Sequence, residues 1–385
     1  MRLLIVDEEI IAGGVDMLRR QLMPELARQV DSIAWVLPAH VADSFCKIAS
    51  DCVNVTIETL NSPGGLARVR EAVARRLPGG MPRGLVDERL RSLARRHQSD
   101  ICMTTCAFGQ EMPNLDLPMA GWVSDINPAL PERIRDNIGK WVERAAMTFG
   151  ISDFTSLELK RWKPGCAGKI YSIPLAGPGW TKPTGEVTDG TFYYPAAPNK
   201  HKNHLTLLEA ARGLALRGMT YRLTLTGAGM DAVARGDGSS DVISGMRAFL
   251  AAHRELMEGR LVVAGDVGPA ESKRLFAEAS CVVLPSSYEG FGLPLAEALG
   301  YGKRVICADI VPFREQIARH RCEDLATFVP PGNAAALEEE MARHLAGPRR
   351  AAPSPEELRD RLNQWTWADA ARRCRMLLEG IAANG

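Results

Sequence analysis

At 385 residues the chain is too long for one small core and suits two domains of roughly 150 to 200 residues each. Its 46% hydrophobic and 24% charged residues are the balance of a soluble globular protein, which excludes a disordered or fibrous one. Lys and Arg number 47 against 46 Asp and Glu, so a net charge of +1 gives no overall field for gripping nucleic acid, and any basic site has to be local. The opening MRLLIVDEEIIAGG carries acids behind a short apolar run, and no stretch approaches 18 apolar residues, so a cytoplasmic chain is expected. Nine cysteines are scattered along it; only Cys102 and Cys106 lie close together, with no histidine beside them. They read as reduced, buried small side chains, and no metal is expected there.

In chain order, the apolar run from Arg2 to Asp7 predicts a buried strand, followed by a turn at Gly13 and Gly14 and an amphipathic helix from Val15 to Val30. Strands are then predicted at Ser32 to Leu37, Val53 to Ile57, Ile101 to Thr105 and Gly121 to Val123, an alternation that points to a parallel sheet wrapped by helices. Between Arg68 and His97 lie nine arginines against Glu71, Asp87 and Glu88, in two helical pieces broken at Pro78 to Gly80. This segment reads either as a solvated helix face or as a dock for anionic lipid or a phosphorylated acceptor, a peripheral contact at the inner face of a membrane. The Pro-, Gly- and Thr-rich run Ala176 to Gly190 is the expected hinge between domains.

A second alternation follows: strand TFYYPAA, a helix from His204 to Leu216, strand YRLTLTG, a helix from Val242 to Glu258, strand LVVAG, helix ESKRLFAEA, strand CVVLP, helix PLAEALG and strand RVICAD. A final helix, from about Thr366 to Ile381, is expected to cross back to the first domain. The domains are therefore set at 1–178, completed by 366–385, and 179–365.

The stretch PSSYEGFGLPLAEALG places Glu289 and Glu297 around a glycine loop between a strand and a helix. Gly290 and Gly292 let the backbone approach a ligand, Pro294 suits a first helical turn, and unpaired helix amides favour an anion such as phosphate. Carboxylates repel phosphate, so the two acids are read as acceptors for sugar hydroxyls on either side of a diphosphate. Glu289 would hold a transferred sugar and Glu297 a ribose.

The E-x7-E spacing in SSYEGFGLPLAEALGYGKRVI resembles the signature of retaining glycosyltransferases with the GT-B fold, especially the GT4 family. FYYPAAPNKHKNHLTLLEA, LTLTGAG and VICADIVPFREQI resemble the nucleotide-sugar domain of these enzymes, the last as a strand and loop. GWVSDINPALPERIRDNIGKWVERAAMTFGISDFTSLELKRW resembles the second half of their acceptor domain. The resemblance implies an α/β chain of two Rossmann-like domains facing a central cleft. It implies transfer of a hexosyl group from a UDP- or GDP-sugar to a glycan, lipid-linked or small-molecule acceptor, with retention, in glycan or glycoconjugate biosynthesis. YPAAPNKHKNH leans toward a mannosyl-type donor.

By position, Lys202 would offset charge on the leaving diphosphate. Glu289 with the amides of Gly290, Phe291 and Gly292 would cradle sugar and phosphate, with Leu293 beside them. Glu297 would take the ribose, Gly14 would approach the diphosphate, Gly227 would let the nucleotide lie against a strand end, and Asp125 would face the transferred sugar. No cofactor or metal is implied, since cationic side chains and helix dipoles serve in their place. Ala196 stands where many relatives have a phosphate-clamping arginine, with Lys200 and Arg314 the candidate substitutes, and Ser124 precedes Asp125 where many have histidine.

Bland readings compete at several positions. Asp125 also reads as a helix N-cap, and His201 and His204 as surface or capping residues. Two other functions are carried forward. One is a nucleotide-sugar binding protein of the same fold without turnover, favoured by Ala196. The other is a dinucleotide-dependent oxidoreductase, suggested by G-x-G-x-x-A at Gly227, Gly229 and Ala232; against it, Asp237 to Ser244 reads as a polar loop with no acidic residue closing a second strand.

Overall fold

The computed structural model describes residues 1–8, 14–60, 82–182, 185–237, 240–348 and 353–382. The chain divides into two compact units, one of Met1–Leu175 with Trp367–Gly385 and one of Ala176–Thr366.

Unit 1 runs β1 (Arg2–Val6), α1 (Gly14–Ala27), β2 (Ser32–Leu37), α2 (Ala39–Asp51), β3 (Val55–Thr59), α3 (Arg83–Arg96), β4 (Ile101–Thr104), β5 (Met119–Val123), α4 (Glu132–Arg144), β6 (Met147–Gly150), α5 (Asp153–Trp162) and β7 (Ile170–Ser172). Its seven strands are parallel in the order β3-β2-β1-β4-β5-β6-β7. Parallel strands covered on both faces need continuous apolar runs, and Leu3 to Val6 and Ile33 to Leu37 are all buried.

The order reverses between β1 and β4, and there Asp7 is fully buried. Its carboxylate accepts from the Thr105 amide and hydroxyl (2.9 Å each), Thr104 Oγ1 (3.1 Å), Trp35 Nε1 (3.0 Å) and Arg19 Nε (3.2 Å). One acid thus ties together the carboxyl ends of β1, β2 and β4 and the helix α1.

Unit 2 runs β8 (Thr191–Pro195), α6 (His204–Leu216), β9 (Arg222–Thr226), α7 (Met230–Arg235), α8 (Asp241–Ala252), α9 (Arg254–Met257), β10 (Leu261–Gly265), α10 (Pro269–Glu278), β11 (Cys281–Leu284), α11 (Leu293–Gly300), β12 (Arg304–Ala308), α12 (Val311–His320), β13 (Ala326–Val329), α13 (Ala334–Ala346) and α14 (Pro355–Leu362). Its six parallel strands lie in the order β10-β9-β8-β11-β12-β13. The last helix, α15 (Trp367–Ala382), belongs to unit 1, where Arg373 Nε donates to Ser172 O (2.8 Å).

Several expectations need correction. Strands β6 (MTFG), β7 (IYS) and β13 (ATFV) escaped a reading by apolar runs because threonine, glycine or serine interrupts or ends each short run. The segment after β12 is helix α12, started by Pro312 in its first turn, and not a loop. The polar run at 237–244 contains a cap: Ser240 Oγ accepts from Ile243 N (3.2 Å) and starts α8 at Asp241, while the helix expected at 242–258 breaks at His253. The Ala176 to Gly190 run, of which 183–184 lie outside the described residues, is fastened to unit 2. Thr181 N donates to Gly300 O (2.7 Å), and the Arg359 guanidinium lies 4.3 Å from the Trp180 ring centre.

In the basic segment, 61–81 lie outside the described residues. On α3, Arg83 pairs with Glu8 (2.9 Å) and Asp87 (3.3 Å), while Arg96 and His97 meet Glu58 at 3.3 and 2.9 Å. These side chains are occupied within unit 1, which weakens a lipid-facing role for this part. Among the described residues no helix is long and apolar enough to cross a membrane.

Removing the Asp7 carboxylate leaves Arg19 buried without it. Asp7→Ala is expected to destabilise unit 1 by about 3–5 kcal/mol in urea unfolding; an unchanged midpoint would show that the network does not hold the strand ends.

Candidate functional site

In open parallel sheets ligands bind outside the carboxyl ends of the strands where the order reverses, which in unit 2 is between β8 and β11. The loops after these two strands are zipped together. Ser287 N donates to His201 O (2.8 Å), Asn203 Nδ2 to Pro285 O (2.9 Å) and the buried Tyr194 hydroxyl to Lys202 O (2.6 Å). Asn203 takes a left-handed conformation (φ 53°), which asparagine tolerates and which turns the chain from this loop into α6.

Across that zip, Lys202 Nζ donates to Glu289 Oε1 at 2.6 Å, with side chains 16% and 10% exposed. The pair is sheltered yet still reachable from solvent. Two of the residues singled out in the sequence, 87 positions apart, therefore touch.

Gly292 precedes the first residue of α11 at φ 93°, and a β-carbon there would lie 2.5 Å from the Phe313 ring. Gln316 Nε2 holds the Phe291 and Gly292 carbonyls (2.5 and 3.3 Å). Gly290, Phe291 and Gly292 are buried and Leu293 is half-buried, so the loop presents backbone toward the helix N-terminus.

The carboxylate of Glu297, one turn into α11, makes no hydrogen bond or ion pair among the described residues. Burial pushes its carboxyl up from 4.5 to about 7. Its charge also acts on the Tyr193 and Tyr301 hydroxyls. A half-buried acid without a donor is a ready acceptor for ligand hydroxyls.

The remaining residues divide. Gly227 (φ 142°) ends β9, but a β-carbon there would sit 2.6 Å from the Ala196 carbonyl oxygen, so packing of the two strand-end loops already requires glycine. That contact also seats Ala196, buried, where a long clamp side chain was expected. Arg314 is not a free substitute: it forms a two-pronged pair with Asp309 and stacks on Phe328 at 4.3 Å. Lys200 is exposed and its ammonium makes no hydrogen bond or ion pair among the described residues.

His204 is buried, not at the surface; its Nε2 lies 3.1 Å from Ala196 O, and burial lowers its pKa to about 4. In unit 1, Asp125 Oδ1 accepts from Asn127 N (3.0 Å) in a tight turn, while Pro131 occupies the N-cap of α4, so Asp125 is not a helix cap. Gly14 opens α1, and the loop before it, 9–13, lies outside the described residues.

The glycine pattern Gly227, Gly229, Ala232 follows β9, the second strand of its sheet, and leads into a six-residue helix. A dinucleotide fingerprint belongs after the first strand, so the oxidoreductase reading loses its site. Sequence reasoning missed Tyr194, Asn203 and Gln316, which position the loops. The only local sign was an asparagine ahead of a helical run, since their partners lie far away in the chain.

The raised Glu297 carboxyl makes a signed prediction. Between pH 4.5 and about 7 the folded chain keeps a proton that the unfolded chain has lost, so this group lowers stability as pH rises through that window. Glu297→Gln should be more stable than the parent by about 1–3 kcal/mol at about pH 8 and nearly equal to it at about pH 4. Equal urea midpoints at both would refute the burial of this charge.

The family model of "Glycosyl transferases group 1" matches residues 182–365. "O-antigen chain mannosyltransferase B" of Escherichia coli is 38% identical over 64 residues, a match spanning 17% of each chain. HepE of Anabaena, solved with UDP and glucose, superposes with a TM-score of 0.71 at 16% identity over 98% of this chain and 99% of its own. A glycosyltransferase from Rickettsia africae superposes with a TM-score of 0.68 at 16% identity, covering 100% and 99%. Sucrose-phosphate synthase of Thermosynechococcus elongatus gives 0.69 at 16%, covering 100% of both. With two parallel sheets in Rossmann-like order, the chain has the GT-B fold, and its residues 182–365 are similar to the glycosyl transferases group 1 family.

Proposed function

We propose that the chain is a retaining glycosyltransferase that moves a hexosyl group from a nucleoside diphosphate sugar to an acceptor hydroxyl, in glycan or glycoconjugate assembly. The observation that carries this reading is the Lys202 and Glu289 pair at the mouth of α11, with the unpartnered Glu297 one turn behind it. The ammonium and the helix N-terminus suit a diphosphate, and the carboxylates suit hydroxyls on either side. HepE, solved with UDP-glucose, and the short likeness to a mannosyltransferase support a nucleotide-sugar donor and lean toward mannosyl transfer.

In this reading Lys202 leaves Glu289 for the diphosphate and offsets the charge that grows as the anomeric bond to it breaks. Glu289, released, accepts from the transferred sugar, and Glu297 from the ribose. The acceptor oxygen bonds to the anomeric carbon on the face the diphosphate leaves. Its proton passes to a departing phosphate oxygen, which gives retention without a protein nucleophile. Lys200 is the unengaged cation on the same turn for the second phosphate, in place of the arginine absent at Ala196. Gly14 and Asp125 are assigned to the diphosphate and the transferred sugar. Because cationic side chains and amides meet the charge, transfer should survive EDTA.

A hydrolysis screen of UDP- and GDP-sugars identifies the donor. Lys202→Ala should lower turnover by about 100- to 1,000-fold, while stability falls by only about 1–2 kcal/mol. Glu297→Ala should weaken donor binding. Donor binding with neither hydrolysis nor transfer would favour a non-catalytic nucleotide-sugar binder, and no affinity for any nucleoside diphosphate would refute both.

A further inference from the structure

Strand β10 stands at one end of the unit 2 sheet, paired to β9 alone. Its apolar residues Leu261 to Val263 are only half-buried, and Ala264 is exposed. Leu223 N donates to Arg260 O (2.7 Å). By the alternation of a parallel ladder, Arg260 and Val262 face β9, and Leu261 and the Val263 amide turn to the open edge, up to a register shift between Val263 and Gly265, whose carbonyl accepts from Gly227 N (3.0 Å). An apolar strand with an open edge is a template for one more strand.

A groove of 990 Å³ lies along the same two residues, walled by Leu250, Met257, Leu261 and Val263. Arg235, Arg247 and Arg254 rim it, against one carboxylate, Glu258. Arg235 pairs with Asp237 (3.2 Å), whereas Arg247 and Arg254 are exposed and their guanidinium groups make no hydrogen bond or ion pair among the described residues. The rim is thus positively charged beside outward backbone donors and acceptors and an apolar wall. None of these residues belongs to the loops of the donor site.

We propose that the β10 edge and its arginine-rimmed groove bind an acidic, extended segment of a partner protein by strand addition. Backbone pairing to Leu261 and Val263 supplies affinity, alternate apolar side chains fill the groove, and acidic ones meet Arg247 and Arg254. A second copy of this chain fits less well, because symmetric pairing of two β10 edges sets each copy's arginines against the other's. An anionic lipid would use the charge and leave the strand edge without a role.

The test is fluorescence anisotropy with the full chain and a labelled octapeptide of alternating Glu and Val. It is compared with its Lys and Val counterpart and with phosphatidylglycerol vesicles. The acidic peptide should bind, the basic one should not, and Arg247→Glu with Arg254→Glu should weaken binding at least about tenfold. Val263→Pro should do the same by removing an outward amide, with donor hydrolysis by both variants unchanged; if the proline variant misfolds, the charge reversal decides alone. Equal binding of both peptides, binding indifferent to charge reversal, arginine-dependent binding of vesicles without peptide binding, or a dimer abolished by Val263→Pro would each overturn the proposal.

Discussion

The 2.6 Å contact between Lys202 Nζ and Glu289 Oε1 joins the two loops that leave the unit 2 sheet where its strand order reverses. Each loop needs partners for its backbone; the two supply them to one another through Ser287 and Asn203, and the Tyr194 hydroxyl of β8 holds Lys202 O. The salt bridge then holds the Lys202 ammonium against the loop that leads into α11. A sheltered ion pair gains little net stability over its desolvation cost, but breaking it exposes two strongly solvated groups. That makes it suited to exchange: a diphosphate replaces the carboxylate on the lysine, and sugar hydroxyls replace the lysine on the carboxylate.

Glu297 shows the opposite economy. It is held on a helix that buries Leu295, Ala298 and Leu299, so it cannot swing away from its half-buried position without disturbing that packing. With no donor to its carboxylate among the described residues, its charge costs stability, and a ligand that offers hydroxyls recovers that cost. In unit 1 the buried Asp7 is satisfied from five directions and has none left for a ligand, so its part is to fix the strand ends around α1.

Much of this architecture was legible in the residues. Strands such as β1, β8 and β11 are near-continuous apolar runs, and the glycine loop before α11 with its two acids stands out as a chemical oddity. Short strands broken by threonine, glycine or serine carry too little apolar pattern, so β6, β7 and β13 were missed. The glycines stand out in the sequence, but only the structure shows that Gly227 is required by the Ala196 carbonyl and Gly292 by the Phe313 ring. Arg314 looked available because nothing in its spacing reveals the side-on pair with Asp309 at the end of β12. Long-range partners such as Gln316 with Phe291 have no local signature at all.

The central claim, that Lys202 exchanges Glu289 for a diphosphate, is tested most directly by a crystal structure of the chain with UDP or GDP bound. The account predicts a phosphate oxygen within hydrogen-bonding distance of Lys202 Nζ at the N-terminus of α11, a ribose hydroxyl on Glu297, and the Lys202 to Glu289 contact broken. A nucleotide bound away from α11, or one bound there with that contact still closed, would contradict it.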